Sequence, residues 1–375
     1  MVIFMKKIDA HNLINQTGFG LTAAGSIGAY CLCLSAALNQ GVFVALIGIV
    51  LFTVFSIKKD YIYTPSPLFA VIFFFLLQFN SFAGAVISLA LGGYICLILN
   101  KLTKGKKLPD FVSGGCFIGL ALCATILFTN TYFGIGASGF TPLEMLEAYR
   151  SLGFHPDFRG LLYGTITLFT MITYPFKFRK LKNIIPAEFI TVAIPFVLNL
   201  ILNPNSEHTT TNEYSMVDFN SNMFDYTDIS VVWGLISTGI ATGFILYALL
   251  QNHQVNKQYG FFAVQPTIPC GTRHYKIIAP LVTIIISTAI ILLCPSLISR
   301  LPLPCAGAML IVSAWKQTSF KPLSATLKQK SVFKLLLLIL CSASFVILPV
   351  FFAVILCVFL WVVTELFNRR KGEKL

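Results

Sequence analysis

The sequence has few charged residues, and acidic residues are the scarcer kind. Only 11% of its 375 residues are Asp, Glu, Lys or Arg, and 14 are acidic. No Asp or Glu lies deep within an apolar run, since Glu188 and Glu365 lie near the ends of such runs. A transporter that couples its substrate to a proton or sodium ion ordinarily needs an intramembrane carboxylate or a dense oxygen cage. The sequence therefore argues against cation-coupled symport.

Signatures of enzymes, metal sites and nucleic-acid binding are also lacking. The 10 cysteines show no metal-ligand spacing, and most lie inside apolar runs as small buried hydrophobic residues. The sequence contains no nucleophile motif and no phosphate-binding loop. It also has no soluble basic module with interleaved aromatic residues. We therefore expect no enzyme activity and no cofactor, metal ion or nucleic-acid partner.

Apolar residues are abundant. Hydrophobic residues make up 56% of the chain, the mean hydropathy is +0.81, and apolar runs of membrane length recur from end to end. This composition predicts an all-α polytopic membrane protein with about 12 transmembrane helices in a lipid bilayer. The predicted spans are 14–38, 42–57, 65–80, 82–100, 109–129, 160–176, 184–202, 229–251, 277–298, 302–315, 332–347 and 349–367.

The placement of the basic residues explains the net charge of +13. If the N-terminus is cytoplasmic, all 27 Lys and Arg residues lie on the cytoplasmic side except Arg150, Arg159 and Arg300. This distribution obeys the positive-inside rule. We predict an inner (plasma) membrane protein with cytoplasmic N- and C-termini. On the external side we predict an amphipathic helix over 141–150, capped by Thr141, and an acidic loop over 204–228.

A short stretch around Pro65 and Pro67 marks the candidate site. The two prolines favour the first turn of a helix, where a missing N–H costs nothing. The apolar run that follows ends near Asn80, so the helix would be about 24 Å long, which is short of the roughly 30 Å hydrocarbon core. A helix that begins inside the membrane presents free N–H groups and a partial positive charge, which suits an anion. The alternative is an ordinary membrane helix with proline in its first turn.

A weak repeat links the two halves of the chain. Leu108-Pro109 opens one span with Gly114 six residues on, and Leu301-Pro302 opens another with Gly307 at the same spacing. The charge distribution makes the first span run outward and the second inward, which indicates an inverted repeat. A seven-plus-seven arrangement of helices follows from this spacing.

Three stretches resemble the sulfate permease (SulP) family of anion transporters. Phe158–Leu168 and Lys180–Ala187 resemble that family's sixth and seventh helices, and Leu301–Lys316 resembles its twelfth. Ser66-Pro67 is similar to the start of its third helix, and the resemblance covers most of 18–367. It implies a uracil-permease-like 7+7 inverted repeat, alternating access, a homodimer and an anion held between the N-termini of the third and tenth half-helices. Carried over, the predicted substrate-binding residues are Thr64, Ser66, Pro67, Leu68, Phe69 and Ala70.

The chain departs from that family in several places. Only 252–276 separate the eighth span from the next one, so we expect the ninth and tenth helices to be missing and the repeat to be incomplete. A remnant of the tenth-helix start at Pro266–Pro269 is the alternative. Thr242 stands where the eighth helix usually carries Glu, and Ser26–Cys31 replaces a Pro-Gln pair of the first helix. We also expect the cytoplasmic regulatory domain that many members of that family carry to be absent. Secondary site candidates are Thr242, Thr272 and Arg273.

These observations predict four segments. They are a first repeat over 1–203, the external loop over 204–228, a shortened second repeat over 229–367 and a basic cytoplasmic tail over 368–375. The predicted function is secondary transport of a small anion of the sulfate, bicarbonate or carboxylate class. The alternative is a non-transporting, degenerate relative that acts as a membrane subunit or interaction partner.

Overall fold

The computed structural model of the chain describes residues 10–37, 42–57, 61–65, 68, 71–72, 76, 82–103, 108–134, 141–153, 158–178, 185–202, 229–250, 264–269, 277–293, 301–318, 320–328 and 331–370. Its helices are α1 (Ala10–Ala37), α2 (Val42–Phe55), α3 (Phe82–Leu102), α4 (Asp110–Phe133), α5 (Pro142–Leu152), α6 (Phe158–Lys177), α7 (Ala187–Leu202), α8 (Ile229–Leu250), α9 (Ile278–Leu293), α10 (Leu303–Gln317), α11 (Lys321–Lys328), α12 (Val332–Ile347) and α13 (Val350–Arg370). Two short strands, β1 (Tyr61–Pro65) and β2 (Val264–Pro269), are also present. The predicted all-α polytopic fold is confirmed.

Most helix bounds agree with the predicted spans. Both repeat prolines mark helix starts, since α4 begins directly after Pro109 and α10 directly after Pro302. The end of α13 at Arg370 carries that helix into the predicted basic tail. The predicted loop at 204–228 and the tail residues 371–375 lie outside the described residues.

Several described helices have membrane-spanning character. Four are long and apolar enough to cross a membrane, over Ile14–Ala36, Gly84–Leu102, Asp110–Phe133 and Val231–Leu249. On α6 the large side chains of Phe158, Leu162, Phe169, Ile172 and Phe176 are exposed. So large an apolar surface is unfavourable in water but suits contact with lipid.

A central bundle consists of α4, α6, α7, α10, α12 and α13. In it α10 runs antiparallel to α4, so closely that a Cβ on Gly307 would lie 2.6 Å from the Tyr132 N and 2.7 Å from the Phe128 O. On another side of α4, Gly115 contacts Cys341 of α12 and Gly119 contacts Phe345. Small residues thus permit the close backbone approach that membrane helix packing favours.

Two helix pairs flank this bundle. In one pair, α3 and α8 pack through Gly92, Gly239 and Gly243, and a hydrogen bond of 3.0 Å joins Ser88 Oγ to Thr238 Oγ1. In the other pair, α1 and α9 pack together, with Thr283 Oγ1 donating to the Gly20 carbonyl at 3.0 Å. The helices α1, α2 and α9 and the two strands are here called the ribbon group, because both strands contact α1.

The neighbours of α1 and α8 correspond to one another. Helix α1 contacts α9, α10 and α7, while α8 contacts α3, α4 and α13. Each flanking pair therefore joins a helix from the first half of the chain to one from the second. The two halves interleave, and each buries apolar surface against the other.

Prolines inside α6 and α7 each free a backbone carbonyl. Pro175 has no N–H for the carbonyl of Met171, and Lys316 Nζ of α10 donates to that oxygen at 2.9 Å. Pro195 likewise frees the carbonyl of Thr191. Thr167 Oγ1 of α6 lies 3.4 Å from that oxygen, but its one proton is donated to the nearer Tyr163 carbonyl at 2.9 Å. A proline in a helix interior removes the bond to the carbonyl four residues earlier, and Lys316 replaces the lost donor in α6.

The predicted external helix is present as α5. The Thr141 hydroxyl accepts a hydrogen bond from the Glu144 N–H at 3.2 Å, as the capping pattern predicts. Met145 is buried, whereas Leu143 and Leu146 are exposed. Tyr149 Oη donates to the Ile126 carbonyl of α4 at 2.7 Å, and burial raises the pKa of Tyr149 to about 12. The helix thus has one face against protein, an exposed apolar face and a charged face, as an interfacial helix does.

Candidate functional site

A two-stranded antiparallel ribbon joins the two halves of the chain at the candidate site. Strand β1 precedes the proposed half-helix, and β2 lies in the connection between α8 and α9. The register shifts between Ile62 and Tyr63, so Thr267 has no opposite residue. The paired residues are Tyr61 with Pro269, Ile62 with Ile268, Tyr63 with Pro266, Thr64 with Gln265 and Pro65 with Val264.

The composition of both strands suits such a ribbon. Aromatic and β-branched residues make up most of β1, at Tyr61, Ile62, Tyr63 and Thr64. Proline cannot donate a ladder hydrogen bond, but a two-stranded ribbon has an open edge on each strand where no donor is needed. The irregularity at Thr267 accommodates two prolines in the six residues of β2.

The predicted helix start at Pro65 is wrong, because Pro65 is the last residue of β1. Helical positions described beyond it are Leu68, Val71, Ile72 and Leu76. Leu68 is 1% exposed and the other three are also buried, in a cluster that includes Ala29, Tyr30 and Cys33 of α1. Their spacing of three to four residues defines one buried helical face. The four described residues that follow the ribbon are therefore packed against other helices.

The predicted site residues have different outcomes. Thr64 lies in β1 opposite Gln265, and Leu68 lies in the core just beyond the ribbon. Thr242 lies elsewhere: its Cβ and Cγ2 would be 2.8 Å from a Cβ on Gly92 of α3, and its hydroxyl donates to the Thr238 carbonyl at 2.7 Å. The Thr242 hydroxyl thus donates its hydrogen bond within its own helix. Ser66, Pro67, Phe69, Ala70, Thr272 and Arg273 lie outside the described residues.

The structure adds two polar residues of α1 that the sequence reasoning did not single out. Ser26 and Tyr30 are one helical turn apart, on the face that also carries Ala29 and Cys33. Ala29, Tyr30 and Cys33 belong to the cluster that contains Leu68. Ser26 is 0% exposed, and its hydroxyl has no hydrogen-bond partner among the described residues. In the sequence, the only indication of this pair is that two polar residues, Ser26 and Tyr30, lie four positions apart in an apolar helix.

The buried polar side chains in the described part of the chain are uncharged. They are hydroxyls together with the amides of Gln16 and Asn199. Within the same residues, no group of three His, Cys, Asp or Glu side chains could hold a metal ion. Among the described residues, backbone N–H groups at a helix start are therefore the candidate source of positive potential at this site.

Comparisons with known proteins identify the fold. No family model matches the chain, and neither does any curated protein. Among solved structures, the transmembrane domain of a cyanobacterium bicarbonate transporter, BicA, matches with a TM-score of 0.61 at 15% identity, over 94% of this chain and 98% of that one. The chain has the fold of that transmembrane domain.

A second transporter gives the same result. The murine SLC26A9 anion transporter in the inward-facing state matches with a TM-score of 0.62 at 12% identity, over 97% of this chain and 69% of that chain. Another SLC26A9 structure matches with a TM-score of 0.62 at 13% identity and covers 95% of this chain and 65% of that one. At these identities the similarity establishes a shared architecture.

Proposed function

We propose that the protein is a secondary transporter of a small anion of the sulfate, bicarbonate or carboxylate class, acting by alternating access across the inner membrane. The proposed cradle consists of Thr64 in β1 and of Ser66 to Ala70, which follow β1 in the chain. Both termini would be cytoplasmic, and the chain would form two inverted repeats, over 1–203 and 229–367, of which the second is shortened. The fold shared with anion transporters supports this class of function.

One observation carries the proposal, namely the burial of Leu68. This helical residue lies only three positions beyond the ribbon and is 1% exposed. A helix that began at the membrane surface would have its first turn in water or among headgroups. A helix that begins within the protein beside Leu68 would present N–H groups without intrahelical acceptors in a medium of low dielectric, where a bound anion is a suitable partner.

The uncharged surroundings favour uniport or anion exchange over cation-coupled symport. Thr242 replaces the carboxylate expected from the resemblance, and its hydroxyl is bonded to the Thr238 carbonyl. The unpartnered hydroxyl of Ser26 provides a neutral donor on the neighbouring face of α1. Neutral donors and backbone N–H groups can hold an anion without a co-transported proton or sodium ion.

A second function is favoured by the short connection between α8 and α9. The 27 residues from 251 to 277 include the six of β2. Two membrane-spanning helices would need about 40 residues, so the length of this connection supports the proposal that the ninth and tenth helices implied by the resemblance are missing. A protein with half of the site could serve as a non-transporting subunit of a membrane assembly.

Flux measurements with a charge substitution distinguish the two functions. The purified protein would be reconstituted in liposomes, and uptake of labelled sulfate, bicarbonate and oxalate would be measured. Ser66→Glu is expected to reduce uptake by at least about tenfold, because a fixed negative charge within about 4 Å of an anion is strongly repulsive where water is excluded.

Ser151→Glu is the matched control, because it adds the same charge to an exposed position of α5. It is expected to leave uptake unchanged. Uptake by Ser66→Glu at the wild-type rate would contradict the cradle assignment. No uptake by a correctly folded wild-type protein would support the non-transporting function instead.

A further inference from the structure

The boundary between the ribbon group and the central bundle contains a buried polar contact. Helix α1 contacts both α10 and α7 of the bundle. Part of this contact is apolar, since a Cβ on Gly25 would meet the ring of Phe189 at 3.1 Å. The polar part joins residues 283 positions apart in the chain: Tyr30 Oη donates to Ser313 Oγ at 3.0 Å.

Both partners of this hydrogen bond are enclosed. Tyr30 is 3% exposed and Ser313 is 1% exposed, so water does not compete for either hydroxyl. Tyr30 also belongs to the cluster that contains Leu68, a described residue of the proposed cradle. The bond therefore crosses the boundary beside the candidate site.

Two other side-chain hydrogen bonds between described helices each stay within one packing group. Trp315 Nε1 donates to Thr125 Oγ1 at 2.8 Å inside the central bundle. Ser88 Oγ and Thr238 Oγ1 lie 3.0 Å apart inside the α3–α8 pair. Such contacts can persist when one group moves as a rigid body, whereas the contact between Tyr30 and Ser313 must break.

We propose that the hydrogen bond between Tyr30 and Ser313 is a latch that holds the ribbon group against the central bundle in the conformation described here. Its release is a step in any movement of one group past the other. The mechanical role follows from the position of the bond, and its role in gating an anion rests on the proposed transport function. Tyr30 lies in the stretch 26–31 of α1, where the resemblance leads us to expect a polar wall of the substrate site, and this chain uses Tyr30 for a contact between helices.

Two conservative variants remove the latch. Tyr30→Phe keeps the ring and removes the donor, and the Ser313 hydroxyl can then turn to the Met309 carbonyl of its own helix. Ser313→Ala removes the acceptor. A buried neutral hydrogen bond stabilises a state by an amount that corresponds to about a two- to tenfold change in an equilibrium constant. Each variant is therefore expected to speed amide hydrogen exchange about two- to tenfold in the contacting parts of α1 and α10.

The double variant and a matched control make the test specific. If the two hydroxyls act as one contact, Tyr30→Phe combined with Ser313→Ala should exchange no faster than the faster single variant. Ser88→Ala breaks a hydrogen bond of the same length inside the α3–α8 pair. It should speed exchange in α3 and α8 and leave the contacting parts of α1 and α10 unchanged.

Unchanged exchange in both single variants would overturn the latch, and so would effects that simply add in the double variant. Uptake into liposomes by the same variants supplies the second readout, with a two- to tenfold increase expected for Tyr30→Phe if release limits the rate. Because exchange is measured without an anion, the latch can be confirmed even if the wild-type protein transports nothing. The experiments can therefore contradict the latch proposal and the transport proposal independently of each other.

Discussion

Lys316 is unusual because a charged side chain completes the backbone hydrogen bonding of a neighbouring helix. Its ammonium donates to the Met171 carbonyl, which Pro175 leaves without an intrahelical donor. The favourable charge interaction with Glu188 of α7 adds to this contact. One residue of α10 thus connects α6 and α7 at the point where α6 bends away from regular hydrogen bonding.

Replacing Lys316 with Met should destabilise the central bundle. The variant keeps the length of the side chain but leaves the Met171 carbonyl without its donor, at a cost of about 1–3 kcal/mol. The free energy of unfolding in mixed detergent micelles would be measured. Lys328→Met is the control, because Lys328 is exposed at the end of α11. Its effect should stay within about 0.5 kcal/mol.

Pro175→Ala tests whether Lys316 stabilises the bundle by replacing the N–H that Pro175 lacks. Alanine restores an N–H that can donate to the Met171 carbonyl, so Lys316→Met should cost less in the Pro175→Ala background than in the wild type. An equal cost in both backgrounds would show that Lys316 acts through Glu188 alone. The double-mutant cycle isolates the coupling, since the residues belong to one hydrogen-bonding network.

At the scale of elements, the pair α3 and α8 depends on glycine at the contact. A Cβ on Gly243 would lie 2.9 Å from the Gly92 carbonyl oxygen and 2.7 Å from Ile95 Cγ2. The carbonyl oxygen cannot move aside as a flexible side chain can. Close backbone approach of this kind is what glycine permits between membrane helices.

Gly243→Ala should therefore force α3 and α8 apart and cost about 1–3 kcal/mol in the free energy of unfolding. Gly234→Ala lies in the same helix at a position where a Cβ would meet nothing within 4 Å. That control should be neutral or should stabilise by up to about 1 kcal/mol through helix propensity. Equal losses in the two variants would contradict the packing explanation.

Long apolar elements could be predicted from the sequence, but the ribbon could not. The predicted spans 82–100 and 332–347 agree within a few residues with α3 and α12. Continuous apolar runs of this length form few structures other than a membrane helix. Strands β1 and β2 contain only five and six residues and pair across about 200 positions of sequence. Nothing local in Tyr61–Pro65 specifies its partner, and its prolines point more strongly to a helix start. The sequence analysis also does not predict the eight-residue helix α11, because its apolar pattern is too short to show helical periodicity.

The candidate site was predictable only in part, for a similar reason. The site at 64–70 rests on prolines ahead of a short apolar run, and it stays a prediction. The polar residues of α1 could be recognised in the sequence. The hydrogen-bond partner of Tyr30 is on α10, and no local sequence pattern indicates that partner. Thr242 was proposed from its place in the eighth span, whereas its contact with Gly92 depends on how α8 packs against α3.

At the scale of the whole molecule, the halves of the chain are not separate domains. Helix α1 pairs with α9, α3 pairs with α8, and α4 packs between α10 and α12. The ribbon adds backbone pairing between β1 and β2. Each half therefore leaves its most extensive helix contacts unmade until the other half is present.

This arrangement predicts that the two halves will assemble without a covalent link. Fragments 1–202 and 229–375, expressed together with an affinity tag on one of them, should co-purify in mild detergent, because the interhelical contacts outweigh the cost of losing one connection of moderate length. Either fragment expressed alone should be poorly recovered, since Gly92, Gly239 and Gly307 would then lie on unpartnered helix surfaces. Gly243→Ala in the second fragment should reduce co-purification, and Gly234→Ala should not. Recovery of each fragment as a stable, separate protein would mean that the halves fold independently and that the interleaved packing is not what holds the molecule together.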